Sequence, residues 1–271
     1  MFDRSIPVAW LLLALALLSP LSQAETNPSA VLRDLHAAQM SLQATASAFH
    51  RYQGSEGDSK LLVKLNEALG DLKSRFQVAY QDLHDMGMTK ELDQLRGHWK
   101  EAARDLNSAI TAIAGSGFAE GQIINGYLLN SYYSGNDLKS AYNAVVSTTG
   151  LKVPPVLQSL RDEAVLFREM SALYMEQSTA QYGYTYRSEA GDSDTLDKMA
   201  QRFARNLDQI EKQMAGNPDG IKKLNNIRNK WQFLEKSFMN YTENSVPYLV
   251  VKFGGEIIED LEALSAAFDK G

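Results

Sequence analysis

The chain has 271 residues, of which 44% are hydrophobic, and its 27 basic and 33 acidic side chains give a net charge of −6. Charges of both signs are interspersed, so the chain lacks the basic face that binding to nucleic acid or to an anionic membrane surface would require. It contains no cysteine. This excludes disulfides and a cysteine nucleophile, and leaves the apolar core to hold the fold together.

The first 24 residues have the pattern of a secretory signal peptide. Arg4 precedes an unbroken apolar run over residues 8–18, Pro20 ends that run, and Ser22-Gln23-Ala24 offers small residues at the positions that determine cleavage. The run is shorter than the roughly 20 residues that a membrane-spanning helix needs, and no later stretch is as apolar. We therefore expect a signal peptide over 1–24, no membrane span after its cleavage, and a periplasmic or secreted protein.

After the signal peptide, apolar residues recur at alternating intervals of three and four, which is the period of an amphipathic helix. No comparable run alternates with period two, and glycines and prolines fall between the apolar stripes. The sequence therefore predicts an all-α fold of antiparallel helices, each about 25 residues or about 37 Å long. Two of the stripes are Leu65, Leu69, Leu72, Phe76, Tyr80 and Leu83, and Leu92, Leu95, Trp99, Ala102, Leu106, Ile110 and Ile113.

Short segments of the second half repeat segments of the first half in the same order. Gln39-Met40-Ser41 parallels Glu169-Met170-Ser171, Gly57-Asp58-Ser59 parallels Gly191-Asp192-Ser193, and LDQLRGHW (92–99) parallels LNNIRNKW (224–231). This order predicts an internal duplication into two tandem antiparallel four-helix-bundle units, over 25–152 and 153–271, with Val153-Pro154-Pro155 at the boundary.

The repeated elements resemble a known family. A Met-Ser pair on the first helix, a Gly-Asp loop and a third helix with Leu-x-x-(Leu/Ile)-x-x-x-Trp are similar to the periplasmic helical-bundle sensor domain of type IV pilus methyl-accepting chemotaxis transducers, which is related to that of nitrate/nitrite sensor kinases. The resemblance implies a soluble sensor domain, once per copy, that binds a ligand or another protein's helices. It also implies a link to type IV pilus or chemotaxis signalling.

The same resemblance implies where a ligand would bind. In the nitrate sensors an arginine beside the Met-Ser pair binds the anion, and a guanidinium matches two oxygens of such an anion at once. The ligand-binding residues that this implies here are Met40 and Ser41 in the first copy and Arg168, Met170 and Ser171 in the second. The first copy has Ala38 at the position of Arg168.

A second candidate site is the stretch Leu83-His84-Asp85-Met86-Gly87-Met88. In an exported protein, the imidazole of His84 and the thioethers of Met86 and Met88 would suit Cu(I). The alternative is a helix end, with Gly87 as a left-handed cap, Met88 as its apolar contact and Thr89 capping the next helix. We favour the helix end and keep the metal site as the alternative.

Signatures of catalysis are missing from the sequence. It contains no HExxH, no Glu-x-x-His pair, no G-x-S-x-G and no glycine-rich phosphate loop. We therefore predict a non-enzymatic periplasmic protein without a cofactor, a sensor-like binding or adaptor protein that recognises a small ligand, a partner protein's helices or a second copy of itself in a homodimer. The alternatives are a soft-metal (copper) binding protein and a structural bundle of an envelope assembly.

Overall fold

The computed structural model describes residues 26–179, 195–241 and 245–269, and within these ranges the chain is all α-helical, as predicted. The predicted signal peptide over 1–24 and the predicted repeat element at 191–193 lie outside the described residues. No helix among those described is both long enough and apolar enough to cross a membrane. The helices are α1 Pro28–Gly54, α2 Ser59–Asp85, α3 Thr89–Ser116, α4 Gly121–Thr149, α5 Pro155–Thr179, α6 Leu196–Gln213, α7 Pro218–Met239 and α8 Pro247–Phe268.

Local sequence signals define the helix ends. The side chain of Asn27 accepts a hydrogen bond from the amide of Ser29, and the side chain of Asp58 accepts from two amides in the first turn of α2, so both supply N-terminal caps. Gly117 and Gly150 follow α3 and α4 in the left-handed conformation, at φ of 76° and 67°, where glycine is strongly favoured.

The helices pack in two groups of four. In the first group, α1 and α3 each pack on both α2 and α4. In the second group, α5 and α7 each pack on both α6 and α8. The two groups are joined by the packing of α1 on α5. Each group encloses an apolar core, with Trp99 buried in the first and Trp231 in the second. This arrangement follows the predicted helix order, whereas the origin of the two groups by duplication stays a prediction.

The two central helices, α1 and α5, lie side by side in parallel. Near their starts, Arg33 and Arg161 both pair with Asp269, the residue that follows the C-terminal end of α8, at 3.4 Å and 3.2 Å. Near their ends, Gly54 is packed so closely against Thr179 that a Cβ atom on Gly54 would collide with the threonine side chain. The seam between α1 and α5 therefore runs the length of both helices and positions the two groups against each other.

Candidate functional site

A cleft of about 490 Å³ opens where α1, α4, α5 and α6 meet. Since α4 packs on α1 and α6 packs on α5, these outer helices flank the central pair and form the walls of the cleft. The volume lies in the range of small-molecule sites. The lining is mostly polar: beside the aliphatic Val165 and Leu166 it contains His36, Gln39, Lys139, Tyr142, Asn143, Gln158, Arg161, Asp162, Glu169, Arg202 and Asn206.

A chain of hydrogen bonds crosses the floor of the cleft. Arg161, which is 4% exposed, donates from Nη1 to the hydroxyl of Tyr142 at 3.1 Å. That hydroxyl donates to Oε1 of Gln158 at 2.8 Å, and Nε2 of Gln158 donates to Asp162 at 2.9 Å. Because each group donates onward to the next, the bonds polarise one another. These hydrogen bonds connect α4 to α5. The ion pair of Arg161 with Asp269 extends the connection to the C-terminal end of α8.

The α6 wall rests on a buried carboxyl group. Glu163 is 1% exposed, and its Oε2 accepts a hydrogen bond from Nδ2 of Asn206 at 2.8 Å. Burial raises the pKa of Glu163 to about 8, although the Asn206 hydrogen bond and the charge of Arg202 act in the opposite direction. At neutral pH the carboxyl group is therefore mostly protonated and adds little negative charge beside Arg202.

The α4 wall presents Lys139 and Asn143, which are exposed and one helical turn apart. Within the described residues neither side chain has a hydrogen bond or an ion pair of its own. Lys139 nevertheless lies near Asp162. Desolvation raises the pKa of Asp162, whereas the hydrogen bond from Gln158 and the charges of Lys139 and His36 oppose that rise.

Arg168 does not line the cleft, because it lies on the side of α5 that faces α8. Burial lowers the pKa of its guanidinium, while the charges of Glu262 and Glu259 raise it. Glu262 also contacts Nε2 of His36 at 2.8 Å. Burial acts to raise the pKa of Glu262, but His36, Arg161 and Arg168 together bring it below its usual value. Arg168 thus sits in a polar junction of α1, α5 and α8, facing carboxylates of the protein itself.

The two Met-Ser pairs also lie outside the cleft. Met40 is 7% exposed and Met170 fully buried, and both belong to the second core. The hydroxyl of Ser41 donates to Asp71 at 2.6 Å, and that of Ser171 donates to the carbonyl of Phe167 at 2.8 Å. The repeated methionines therefore pack along the α1–α5 seam, and their role in binding a ligand stays a prediction.

The stretch from His84 to Met88 forms the turn between α2 and α3. Gly87 is left-handed at φ 69°, and the amide of Met88 donates to the carbonyl of Leu83 at 2.8 Å, as in a glycine-capped helix end. Met88 is 9% exposed and belongs to the first core, and Met86 packs against that core. The His84 side chain, in contrast, is 68% exposed. The turn thus accounts for both methionines, and copper binding stays untested. Thr89 is the first residue of α3, and the cap position falls on Met88, which makes no side-chain cap bond.

Each of the four histidines contacts a different carboxylate, so the structure does not gather them. In the ranges covered by the structure, no group of three or more histidine, aspartate or glutamate side chains is arranged to hold a metal ion. The pairs are His36 with Glu262 at 2.8 Å, His50 with Glu176 at 3.9 Å, His84 with Asp85 at 3.1 Å and His98 with Asp137 at 2.6 Å.

Sequence reasoning missed the residues that form the cleft. Lys139 with Asn143, and Arg202 with Asn206, each place a cation one turn before an asparagine, but such pairs are common on solvated helix faces. What distinguishes them is that α4 and α6 flank the same seam, and local sequence does not encode that proximity. The buried side chains of Arg161 and Glu163 were missed for the same reason.

Protein-family models, curated proteins and solved structures give no match to this chain. The resemblance to the sensor domain of pilus chemotaxis transducers therefore rests on the sequence motifs alone.

Proposed function

We propose that the protein is a non-enzymatic, sensor-like binding protein of the periplasm whose ligand occupies the cleft between α1, α4, α5 and α6. The observation that carries this proposal is the cleft itself, which has the volume of a small-molecule site and a polar lining drawn from both groups of helices. A ligand in it would contact both groups at once. Binding would therefore favour one relative position of the groups over others.

The cleft is better suited to a ligand than to structural packing. Tyr142, Gln158 and Arg161 satisfy one another across the floor, so the floor keeps its shape without a ligand. The polar groups of Lys139 and Asn143 on the α4 wall are instead exposed to water, which a ligand can displace. A hydrogen-bonded floor beside a hydrated α4 wall is the arrangement expected of a preformed binding site.

The periplasmic setting and the sensor role have sequence support. The pattern of residues 1–24 favours export. The Met-Ser, Gly-Asp and Leu-x-x-(Leu/Ile)-x-x-x-Trp elements support a sensor-type protein with a link to type IV pilus or chemotaxis signalling. An adaptor role, in which the ligand is replaced by a partner protein's helices, predicts a different experimental outcome.

Two measurements test the proposal. Fractionation of cells that express the full chain is expected to place the processed protein in the periplasm. Thermal melting against a library of polar metabolites is expected to give at least one compound that raises the melting temperature. Arg202→Met, on the cleft wall, should abolish that rise, whereas Arg205→Met, exposed on the same helix, should preserve it.

Three results would contradict this account. The chain could stay in the cytoplasm. A second contradictory result is that none of the compounds raises the melting temperature while a periplasmic extract yields a stoichiometric protein complex. That result would favour the adaptor role. The rise could also be the same in both arginine variants, which would place the ligand elsewhere.

A further inference from the structure

The outward face of α8 forms an exposed stripe. Since α8 packs on α5 and α7, its remaining side faces solvent in the part of the chain that the structure describes. Residues three and four positions apart line up on that side, and they are Tyr248, Lys252, Gly255, Glu259 and Ala263. Four of them are exposed, and a Cβ atom on Gly255 would meet nothing within 4 Å. None of the five lines the cleft, so the stripe is a separate surface.

Aromatic side chains border this stripe on the side of α7. Phe233 of α7 is 59% exposed, and Tyr248 is 75% exposed. The rings of Phe233 and Phe253 pack edge to face with their centroids 5.0 Å apart. The ammonium group of Lys252 lies 5.2 Å from the centre of the Phe253 ring. Aromatic side chains grouped at a surface in this way are typical of protein interfaces.

The charges of the stripe are complementary to those of the same stripe on a second copy. Lys252 and Glu259 lie seven residues or about 10.5 Å apart along α8. Glu259 has no hydrogen bond or ion pair among the described residues, although its charge acts on Arg168. If two α8 helices lie antiparallel, Lys252 of each copy faces Glu259 of the other. A parallel pair would instead place each Lys252 against the other Lys252, which is unfavourable.

Side-chain sizes favour the same antiparallel register. When Lys252 pairs with Glu259 of the second copy, Tyr248 comes opposite Ala263, so the largest side chain of the stripe meets one of the smallest. Gly255 then lies beside the twofold axis, where the lack of a side chain allows the two helices to approach closely. Charge and size therefore select one register.

From this complementarity we infer that the protein forms a twofold-symmetric homodimer in which the outward face of α8 packs antiparallel against the same face of a second copy. Each charge pair then occurs twice, because a twofold interface uses the same patch on both subunits. The symmetry also places both α7 helices on one side of the α8 pair. Since Phe253 lies about 4 Å along α8 from the axis, the two Phe233–Phe253 pairs come together at that edge. Both clefts stay open in this dimer.

Charge reversal on the full chain tests the dimer. Lys252→Glu and Glu259→Lys each turn both charge pairs of the interface from attractive to repulsive. The double variant that combines them restores both pairs with the opposite polarity. Lys100→Glu on α3 and Glu67→Lys on α2 make the same changes in net charge at exposed sites and are the matched controls. Sedimentation velocity over a series of protein concentrations measures dimerisation, and far-ultraviolet circular dichroism verifies that every variant folds.

The mass of the wild-type protein should rise from that of one chain to that of two as its concentration increases. Each single reversal should weaken dimerisation at least tenfold. The double variant should return to within threefold of the wild type, and the controls should stay within twofold. Gly255→Gln should also weaken dimerisation at least tenfold, because its side chain has room within one copy but separates the two helices at the axis.

Three outcomes would overturn the inference. The first is a mass of one chain at every concentration. The second is a dimer that both single reversals leave intact, which would place the interface on another surface. The third is a dimer that the single reversals weaken and the double variant does not restore, because the antiparallel pairing of Lys252 with Glu259 requires that restoration.

Discussion

Nδ2 of Asn206 donates a hydrogen bond of 2.8 Å to Oε2 of Glu163, while Oε1 of the same buried carboxyl group has no hydrogen-bond partner among the described residues. The bond joins α5 to α6 directly below the cleft wall. Burying a carboxylate with one oxygen unpaired is costly. The protein avoids that cost by keeping Glu163 protonated, since its pKa is raised to about 8 from a usual 4.5.

Glu163 is expected to make stability depend on pH. Because its pKa is higher in the folded state than in the unfolded state, its contribution is complete below about pH 4.5. The contribution then falls by about 1.4 kcal/mol per pH unit until about pH 8. Glu163→Gln keeps a neutral side chain of the same shape at every pH. Its free energy of unfolding should therefore rise relative to that of the wild type as the pH increases across that window. Urea unfolding at pH 5, 6.5 and 8 measures the difference.

The control for this prediction is Glu67→Gln, whose glutamate is 59% exposed. This variant should differ from the wild type by less than about 0.5 kcal/mol at each pH. A free-energy gap between Glu163→Gln and the wild type that stays constant from pH 5 to 8 would show that Glu163 is ionised in the fold. The charges that face Glu163 are Arg202 on α6 and Asp162 on α5.

Tyr142→Phe is expected to break the hydrogen-bond chain across the floor of the cleft. It removes the acceptor of Arg161 and the donor to Gln158, and unpaired buried polar groups cost about 1–3 kcal/mol. The free energy of unfolding, from urea titration, should fall by that amount. Tyr248→Phe, at a site that is 75% exposed, should leave it unchanged. Equal free energies of unfolding for the two variants would mean that this chain of hydrogen bonds contributes nothing to stability.

Alanine substitutions of two helical glycines should have opposite effects. A Cβ at Gly54 would collide with Thr179, whereas a Cβ at Gly70 would meet nothing within 4 Å. Gly54→Ala should therefore destabilise the fold by about 1–3 kcal/mol through overpacking of the α1–α5 seam. Gly70→Ala should stabilise it by about 0.5–1 kcal/mol through helix propensity. Two stabilising substitutions in thermal unfolding would show that the seam is looser than the structure indicates.

Substitutions in the turn between α2 and α3 distinguish a packing role of these residues from metal binding. Met88→Ala should cost about 2 kcal/mol or more because the side chain belongs to the core. His84→Ala should cost less than about 0.5 kcal/mol because the imidazole is exposed. Urea unfolding with and without Cu(I) measures both effects. A stabilisation by Cu(I) that both substitutions abolish would favour the copper alternative.

The helices could be predicted from sequence because burial leaves a local signature. The stripe from Leu65 to Leu83 lies in the core face of α2, since the periodicity of apolar residues reports which face of a helix is covered. The cleft has no such signature. Lys139 and Arg202 look like any solvated side chains, and only the packing of α1 against α5 brings their helices to one site.

The residues that the family resemblance implied show the same limit. The resemblance implies that Met40 and Met170 bind a ligand; both pack in the second core, and ligand binding by them stays a prediction. Repetition of a residue pair in sequence marks a position that the fold uses twice, and a core contact satisfies that condition as well as a ligand contact does. The burial of both methionines depends on long-range packing, which a short repeated motif does not encode.

One titration locates the ligand. In methyl-labelled protein, Val165 and Leu166 report on the cleft, Met40 and Met170 on the seam, and Met88 on the turn. Adding the library of polar metabolites in pools should shift the methyl resonances of Val165 and Leu166, with Met88 unchanged. Shifts at Met40 and Met170 without any at Val165 or Leu166, or no shift at any of these methyl groups, would contradict ligand binding in the cleft.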